Sequence, residues 1–224
     1  MNKTQYFSEE TIDTYSRSML QELKEVKRQR ALSFTPENSA LLILDMQKYF
    51  LYEKSHAYIL SAPFIVPKMI RLAKAYEKEG LPIVLTRHLN TRDDAGMMKR
   101  WWKEIIDKKE SGSEIISDLN EIDGIRIEKT QYDSFYRTAL EKILREKDVT
   151  RIVITGVMTH LCCETTARSA FVRDFEVFFP VDGTATYNED FHRAALLNLT
   201  HGFVHPVLME ELINQVEESG RGMH

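Results

Sequence analysis

Cysteine is almost absent from this sequence of 224 residues, which contains only the adjacent pair Cys162 and Cys163. A disulfide between sequence neighbours is strained and closes almost no loop, so the pair cannot form a stabilising framework. Two adjacent cysteines also make a poor zinc site, because structural zinc usually takes several Cys or His ligands at characteristic spacings. We therefore expect free thiols in a reducing, cytoplasmic environment.

Long apolar runs and a charge excess are also missing. No run of 18 apolar residues occurs, and the N-terminus MNKTQYFSEETIDTYSR lacks the apolar core of a secretory signal peptide. Thirty Lys and Arg against 34 Asp and Glu give a net charge of −4. This balance argues against a nucleic-acid partner and predicts no attraction to anionic membranes.

Glycine is scarce, with nine residues, and the glycine-rich nucleotide motifs are absent. Neither GxxxxGK[ST] nor GxGxxG after the first apolar segment occurs, which argues against a nucleotide-binding protein. The GxSxG pattern of a common type of serine hydrolase is missing as well.

What the sequence does contain is a regular alternation of short apolar segments with helical patterns. Six near-continuous Val, Ile and Leu segments are typical of strands buried on both faces of a parallel sheet. They lie at 40–45, 82–86, 126–129, 151–157, 177–181 and 204–209, with helical patterns at 65–79, 135–146, 163–174 and 188–201. The alternation predicts an α/β fold: a three-layer, doubly wound (Rossmann-like) single domain around a mostly parallel six-stranded sheet.

This domain is predicted to span residues 39–213, between an N-terminal helical arm (1–38) and a C-terminal tail (214–224). The arm has an amphipathic helical pattern over 9–30, whose apolar stripe needs a partner surface. The stripe could pack on a second subunit or fold back on its own domain. Residues 89–125 are irregular and are expected to cover the strand ends.

Ligands of such sheets bind beyond the carboxyl ends of the strands, where this sequence places several reactive side chains. Asp45, Lys129 and Cys162 follow the first, third and fourth strands, while His88 and Asp182 follow the second and fifth. A thiol at a helix N-terminus near an ammonium should have a lowered pKa, and a carboxylate could take its proton. Taken singly, each residue could equally be a turn former, a solvated cation or buried filler.

Several motifs resemble those of the isochorismatase-like cysteine hydrolases, a superfamily that includes isochorismatases, nicotinamidases, N-carbamoylsarcosine amidohydrolases and ureidoacrylate hydrolases. The resemblance covers about residues 38–213. The motifs are DMQKYF, K-x-x-Y-x-S-F, G-V-x-T-x-x-C-x-x-x-T-A-x-x-A-F-x-R-D, D-x-T-A and H-x-x-A-L, in that order.

The resemblance implies that Asp45 is the general base, Lys129 the triad lysine and Cys162 the nucleophile. The thiolate would attack an amide-type carbonyl, and water would then hydrolyse the thioester. A cis peptide implied at Val157–Met158 would direct the N–H groups of Met158 and Cys162 to the oxyanion. A small-molecule substrate, no cofactor and a homo-oligomer (dimer or tetramer) are also implied.

The candidate pocket residues are Gln47, Phe50, His88, Tyr132 and His160. Nicotinamidases resembling this chain bind a divalent ion through an Asp-x-His pair and a further His. In this chain, residues 48–67 contain one histidine and no aspartate, and the histidine after the second strand does not make a site alone. We therefore predict that no metal is bound.

We expect the protein to cleave a C–N bond of a small amide, ureido or carbamoyl compound. Two alternatives remain. Over residues 156–163 the chain also resembles the isochorismatase subgroup, whose pattern G-[IV]-Y-A-H-I-G-C has glycine at the position of Cys162. A vinyl-ether hydrolase with Cys162 as a bystander would explain why this chain retains His160 and Cys163 of that pattern. A non-catalytic, redox-responsive protein would use the cysteine pair as its sensor.

Overall fold

A parallel sheet occupies the centre of the computed structural model, which describes residues 2–26, 33–102 and 104–221. In these ranges the sheet has seven strands in the order β3-β2-β1-β4-β5-β7, with β6 paired to β4. The strands are β1 (Ser39–Leu44), β2 (Ile83–His88), β3 (Ile125–Lys129), β4 (Arg151–Val157), β5 (Glu176–Pro180), β6 (Thr184–Ala185) and β7 (His205–Val207).

The predicted doubly wound α/β fold is confirmed, because helices cover both faces of this sheet. Alternate residues of β1 face opposite apolar clusters: Leu41 and Ile43 pack on one side, Leu42 and Leu44 on the other. The helices are α1 (Ile12–Val26), α2 (Lys48–Leu51), α3 (Val66–Lys78), α4 (Met98–Trp101), α5 (Leu140–Glu146), α6 (Glu164–Phe171), α7 (Glu189–Gly202) and α8 (Met209–Arg221). Helices α3 and α8 cover the first side, while α1, α5, α6 and α7 cover the second. None of the described helices is long and apolar enough to cross a bilayer.

Several elements differ from the sequence-based expectation: helix α5 begins at residue 140 instead of 135, and strand β7 ends at residue 207 instead of 209. The sheet has a seventh strand, β6, whose two residues are too few to show a pattern. Helix α8 runs through residue 213, where the domain was expected to end, and buries Leu212, Ile213 and Val216 against the rest of the chain.

The N-terminal helix α1 packs on its own domain. Its stripe of Met19, Leu20 and Leu23 is buried in the same cluster as residues of α5, α6 and α7. The last residues of the predicted helix, 27–30, lie outside the described residues. The apolar stripe therefore does not require a second subunit to cover it.

Candidate active site

Three of the predicted side chains meet at the carboxyl edge of the sheet. Asp45 follows β1, Lys129 ends β3, and Cys162 lies in a π-helical turn (Thr159–Cys163) after β4. Lys129 Nζ is 2.7 Å from Asp45 Oδ2 and 3.4 Å from Cys162 Sγ. All three side chains are buried. The sheet thus brings together the carboxylate, the ammonium and the thiol that the sequence predicts at three strand ends.

Strands β1 and β4 lie close together at their carboxyl ends. Asp45 follows β1 and the turn that contains Cys162 follows β4, so this contact keeps the two residues near each other. Gly156 in β4 has φ +113°, and a Cβ atom there would lie 2.1 Å from the carbonyl oxygen of Leu44. Only glycine fits this position without moving a backbone. The peptide bond between Val157 and Met158 is cis, as the resemblance implied.

Asp45 is held by its neighbours in an ionised state. Thr86 Oγ1 donates a hydrogen bond to Asp45 Oδ1 over 2.7 Å, while Lys129 faces the other carboxylate oxygen. Burial is the largest single effect and raises the pKa of Asp45, but the charge of Lys129 and the hydrogen bonds from Lys129 and Cys162 together lower it by more, so the pKa lies below its ordinary value. The carboxylate is therefore available as a proton acceptor.

Lys129 is equally well held as an ammonium. Its Nζ donates to the carbonyl oxygen of Gln131 over 2.9 Å in addition to its contacts with Asp45 and Cys162. Burial lowers the pKa of Lys129, but the two acidic partners raise it by more. Its positive charge stands beside the sulfur on which negative charge would develop.

The Cys162 thiol has a high pKa, contrary to the lowered value expected from the sequence. Burial raises the pKa of Cys162 to about 12, and Lys129 offsets this only in part because Asp45 acts in the opposite direction. The helix terminus and the ammonium favour the thiolate, but the fold buries the sulfur beside a carboxylate, which no sequence pattern shows. The thiol is therefore protonated at neutral pH and needs a base.

An aromatic cavity opens at Cys162. Its lining includes Phe50, His88 and Tyr132 from the predicted pocket residues, and Met158 beside Cys162. Further lining residues, which the sequence did not single out for the pocket, are Tyr49, His56, Ala57, Asn90, Met98, Trp102, Glu104, Ile105, Ile106 and Tyr187. Most lie in the irregular segments 48–60 and 89–125, where no periodic pattern marks an inward-facing position.

The two tryptophans of the irregular segment have different environments. Trp102 lines the cavity, and its Nε1 donates a hydrogen bond to the Tyr132 hydroxyl over 2.6 Å. Trp101 is 75% exposed. The sequence places the two tryptophans side by side and does not indicate which one turns inward.

Two predicted pocket residues, Gln47 and His160, are not among the described residues that line the cavity. Their side chains contact neighbouring residues instead. The Gln47 side-chain amide accepts from the His88 N–H over 2.8 Å and donates to the His88 carbonyl over 3.0 Å. His160 stacks on Phe191, and its Nδ1 is 2.7 Å from Thr186 Oγ1. Both side chains therefore position neighbouring backbone or side chains.

His88 lies in the cavity wall close to the triad. Its Nε2 is 2.8 Å from Asn90 Oδ1, and burial lowers its pKa to about 4. The imidazole is therefore neutral at physiological pH.

Possible metal ligands in the described residues are Asp45, His88 and Cys162, whose ligand atoms lie within 4.8 Å of one another. The Lys129 ammonium contacts two of these three groups. A divalent cation would have to sit against that positive charge, so the donor set fits a metal poorly. The expectation that no metal is bound stays a prediction.

Comparison with known proteins gives matches in sequence and in fold. The isochorismatase domain family matches residues 39–211. Nicotinamidase 3 of Arabidopsis thaliana is 36% identical over 179 residues, covering 78% of this chain and 86% of that protein. Enterobactin synthase component B of Escherichia coli is 26% identical over 185 residues, covering 81% and 64%. A cysteine hydrolase from Pseudomonas syringae pv. phaseolicola superposes with a TM-score of 0.81 at 25% identity, covering 86% of this chain and 99% of that one.

Proposed function

Since this chain belongs to the isochorismatase domain family, we propose that it is a cysteine hydrolase that cleaves a C–N bond of a small amide, ureido or carbamoyl compound. The observation that carries the proposal is the position of Cys162, which lines the cavity and whose sulfur contacts the Lys129 ammonium. A thiol so placed can reach a carbonyl carbon bound in the cavity. The two free thiols also fit the reducing, cytoplasmic location that we propose.

In the first half of the reaction, Cys162 Sγ attacks the substrate carbonyl carbon while its proton passes to Asp45. The high thiol pKa means that this transfer accompanies C–S bond formation and no thiolate accumulates beforehand. The N–H groups of Met158 and Cys162 stabilise the oxyanion. Asp45 then returns the proton to the leaving nitrogen, the C–N bond breaks, and ammonia or an amine departs from a thioester.

In the second half, water hydrolyses the thioester. Asp45 takes a proton from the water as its oxygen attacks the acyl carbon, and the C–S bond breaks. The proton returns to the sulfur, which restores the thiol. Lys129 keeps Asp45 ionised between the two steps and stabilises the sulfur as it leaves.

A screen for ammonia release across small amides, ureides and carbamoyl compounds tests the reaction class. With the substrate found, Cys162→Ser and Asp45→Asn should each lower kcat by at least about 10³-fold, because such residues act as a unit. Cys163→Ser is the matched control and should retain activity, since Cys163 is fully buried in an apolar cluster. Near-full activity of Cys162→Ser on the natural substrate would instead support vinyl-ether hydrolysis.

Metal dependence is tested on the same enzyme. We expect EDTA to leave activity unchanged, because Lys129 already neutralises the charge of the triad. Stoichiometric metal in the purified protein, with activity lost to EDTA, would contradict this part of the proposal.

A further inference from the structure

A short N-terminal segment, residues 2–8, contacts two walls of the candidate active-site cavity. We name it the N-terminal strap. It lies outside residues 39–211, which match the family. The first wall is the segment 184–188, which contributes Tyr187 to the cavity, and the second is the segment 56–61, which contributes His56 and Ala57.

The strap forms hydrogen bonds with the backbone of the first wall. The Thr4 N–H donates to the carbonyl oxygen of Tyr187 over 2.9 Å. The Tyr6 hydroxyl accepts the N–H of Thr186 over 2.9 Å. Tyr187 is therefore held at its own carbonyl and at the preceding residue.

The strap holds the second wall through Ser61 and two carbonyl groups. The N–H groups of Tyr6 and Phe7 donate to Ser61 Oγ over 2.9 and 3.1 Å. Lys3 Nζ donates to the carbonyl oxygen of Tyr58 over 2.9 Å and also to that of His56. The wall that contains His56 is thus fixed at both ends.

One side chain of the strap joins the walls directly. The Lys3 ammonium that binds the carbonyl groups of the second wall lies 4.6 Å from the ring centroid of Tyr187 in the first. A cation this close to an aromatic ring is attracted to its face. Lys3 therefore contacts both walls at once.

We infer that the N-terminal strap positions the cavity for substrate, and that Lys3 and Tyr6 are positioning residues that control substrate affinity. The inference rests on the proposed function for its substrate. Binding walls must be held to within about 0.5 Å to keep a productive geometry. The rings of Tyr6 and Phe7 also pack on His192, a contact that Tyr6→Phe keeps. The bonds that Lys3 and the Tyr6 hydroxyl make to the walls do not involve Asp45, Lys129 or Cys162, so their loss should weaken binding and spare the chemical steps.

The test compares Lys3→Met and Tyr6→Phe with Lys74→Met and Tyr136→Phe, which change exposed residues elsewhere. We expect KM to rise about tenfold in the strap variants while kcat stays within about twofold. This is the result when the substrate and the transition state lose the same amount of binding free energy. Lys3→Arg keeps the donor and the cation and should restore KM. A purely structural strap would lower the thermal midpoint and the active fraction and leave KM unchanged, which would overturn the inference.

A second measurement does not need turnover. Iodoacetanilide, an aromatic alkylating agent, should modify Cys162 with saturation kinetics as it fills the cavity. We expect its half-saturating concentration to rise about tenfold in Lys3→Met and Tyr6→Phe, with an unchanged limiting rate. Equal values in strap and control variants would refute the inference, whereas an active Cys162→Ser enzyme would refute the proposed function alone.

Discussion

At the scale of single residues, the two adjacent cysteines have opposite environments. Cys162 lines the cavity and its sulfur contacts Lys129, whereas Cys163 is fully buried in the apolar cluster with Leu42 and Ile154. One residue of displacement along the turn thus separates a candidate nucleophile from a packing residue.

We predict that iodoacetamide labels Cys162 before Cys163, at a rate that rises steeply with pH. Burial raises the pKa of Cys162 to about 12, so the thiolate fraction should increase about tenfold per pH unit between pH 6 and 9. Peptide mass mapping of wild type, Cys162→Ser and Cys163→Ser identifies the labelled site. Faster labelling of Cys163, or a rate that levels off near neutral pH, would contradict the assignment.

The meeting of Asp45, Lys129 and Cys162 was predictable from the sequence because each lies at or just beyond the carboxyl end of a predicted strand, and parallel strands end at one edge. The residues around these three were harder to predict. Gln47 and His160 stand in motifs next to the site, but their side chains turn to partners that only the folded chain supplies. Tyr187 and Trp102 lie in segments without periodicity.

At the scale of elements, the sequence predicted six strands from short segments between helical patterns, most of them near-continuous apolar runs, and it missed the two-residue β6. Helix α8 did have a signal: Met209, Leu212, Ile213 and Val216 are spaced as one helical face. The predicted strand 204–209 included Met209, the first residue of this face, so no helix was predicted there. The strap has no such signal, since its hydrogen-bond partners lie more than 50 residues away.

We predict that Gly156→Ala destabilises the fold by about 2–5 kcal/mol, combining overpacking with backbone strain. The new Cβ would lie 2.1 Å from the Leu44 carbonyl oxygen and push β1 away from β4 just before Asp45. Gly202→Ala is the matched control, because a Cβ at the end of α7 meets nothing within 4 Å. Chemical denaturation measures both, and equal midpoints would show that the strands can separate without cost.

At the scale of the whole molecule, we still predict a homo-oligomer, but the arm no longer supplies the reason. Its apolar stripe is covered by the same chain, whereas Phe171 and Val172 at the end of α6 are 51% and 73% exposed. Phe171 stacks on Phe203, which extends this apolar surface. Light scattering should give a dimer or tetramer, and Phe171→Asp should reduce the assembly. A monomeric wild-type protein would refute the prediction.

The last prediction concerns the stability of the whole chain as the pH falls. Burial lowers the pKa of His88 to about 4 and that of His192 to about 3, while both histidines have ordinary values near 6.5 when unfolded. Between about pH 6.5 and 4 the two histidines bind protons in the unfolded chain but stay neutral in the folded chain. The free energy of unfolding must therefore decrease as the pH falls from about 6.5 towards 4. Each group contributes up to about 1.4 kcal/mol per pH unit, which amounts to several kcal/mol for the pair.

His192 allows this contribution to be separated from that of carboxylates, which titrate at lower pH. Its imidazole is fully buried between Thr159 Oγ1 and the Val181 carbonyl. We expect His192→Gln to be less stable than wild type at pH 7.5 but to lose less stability between pH 6.5 and 4, because a titrating group is gone. The exposed His201→Gln should keep the wild-type slope. Urea denaturation across this pH range decides the matter, since parallel slopes for wild type and His192→Gln would mean that this histidine is not held neutral by the fold.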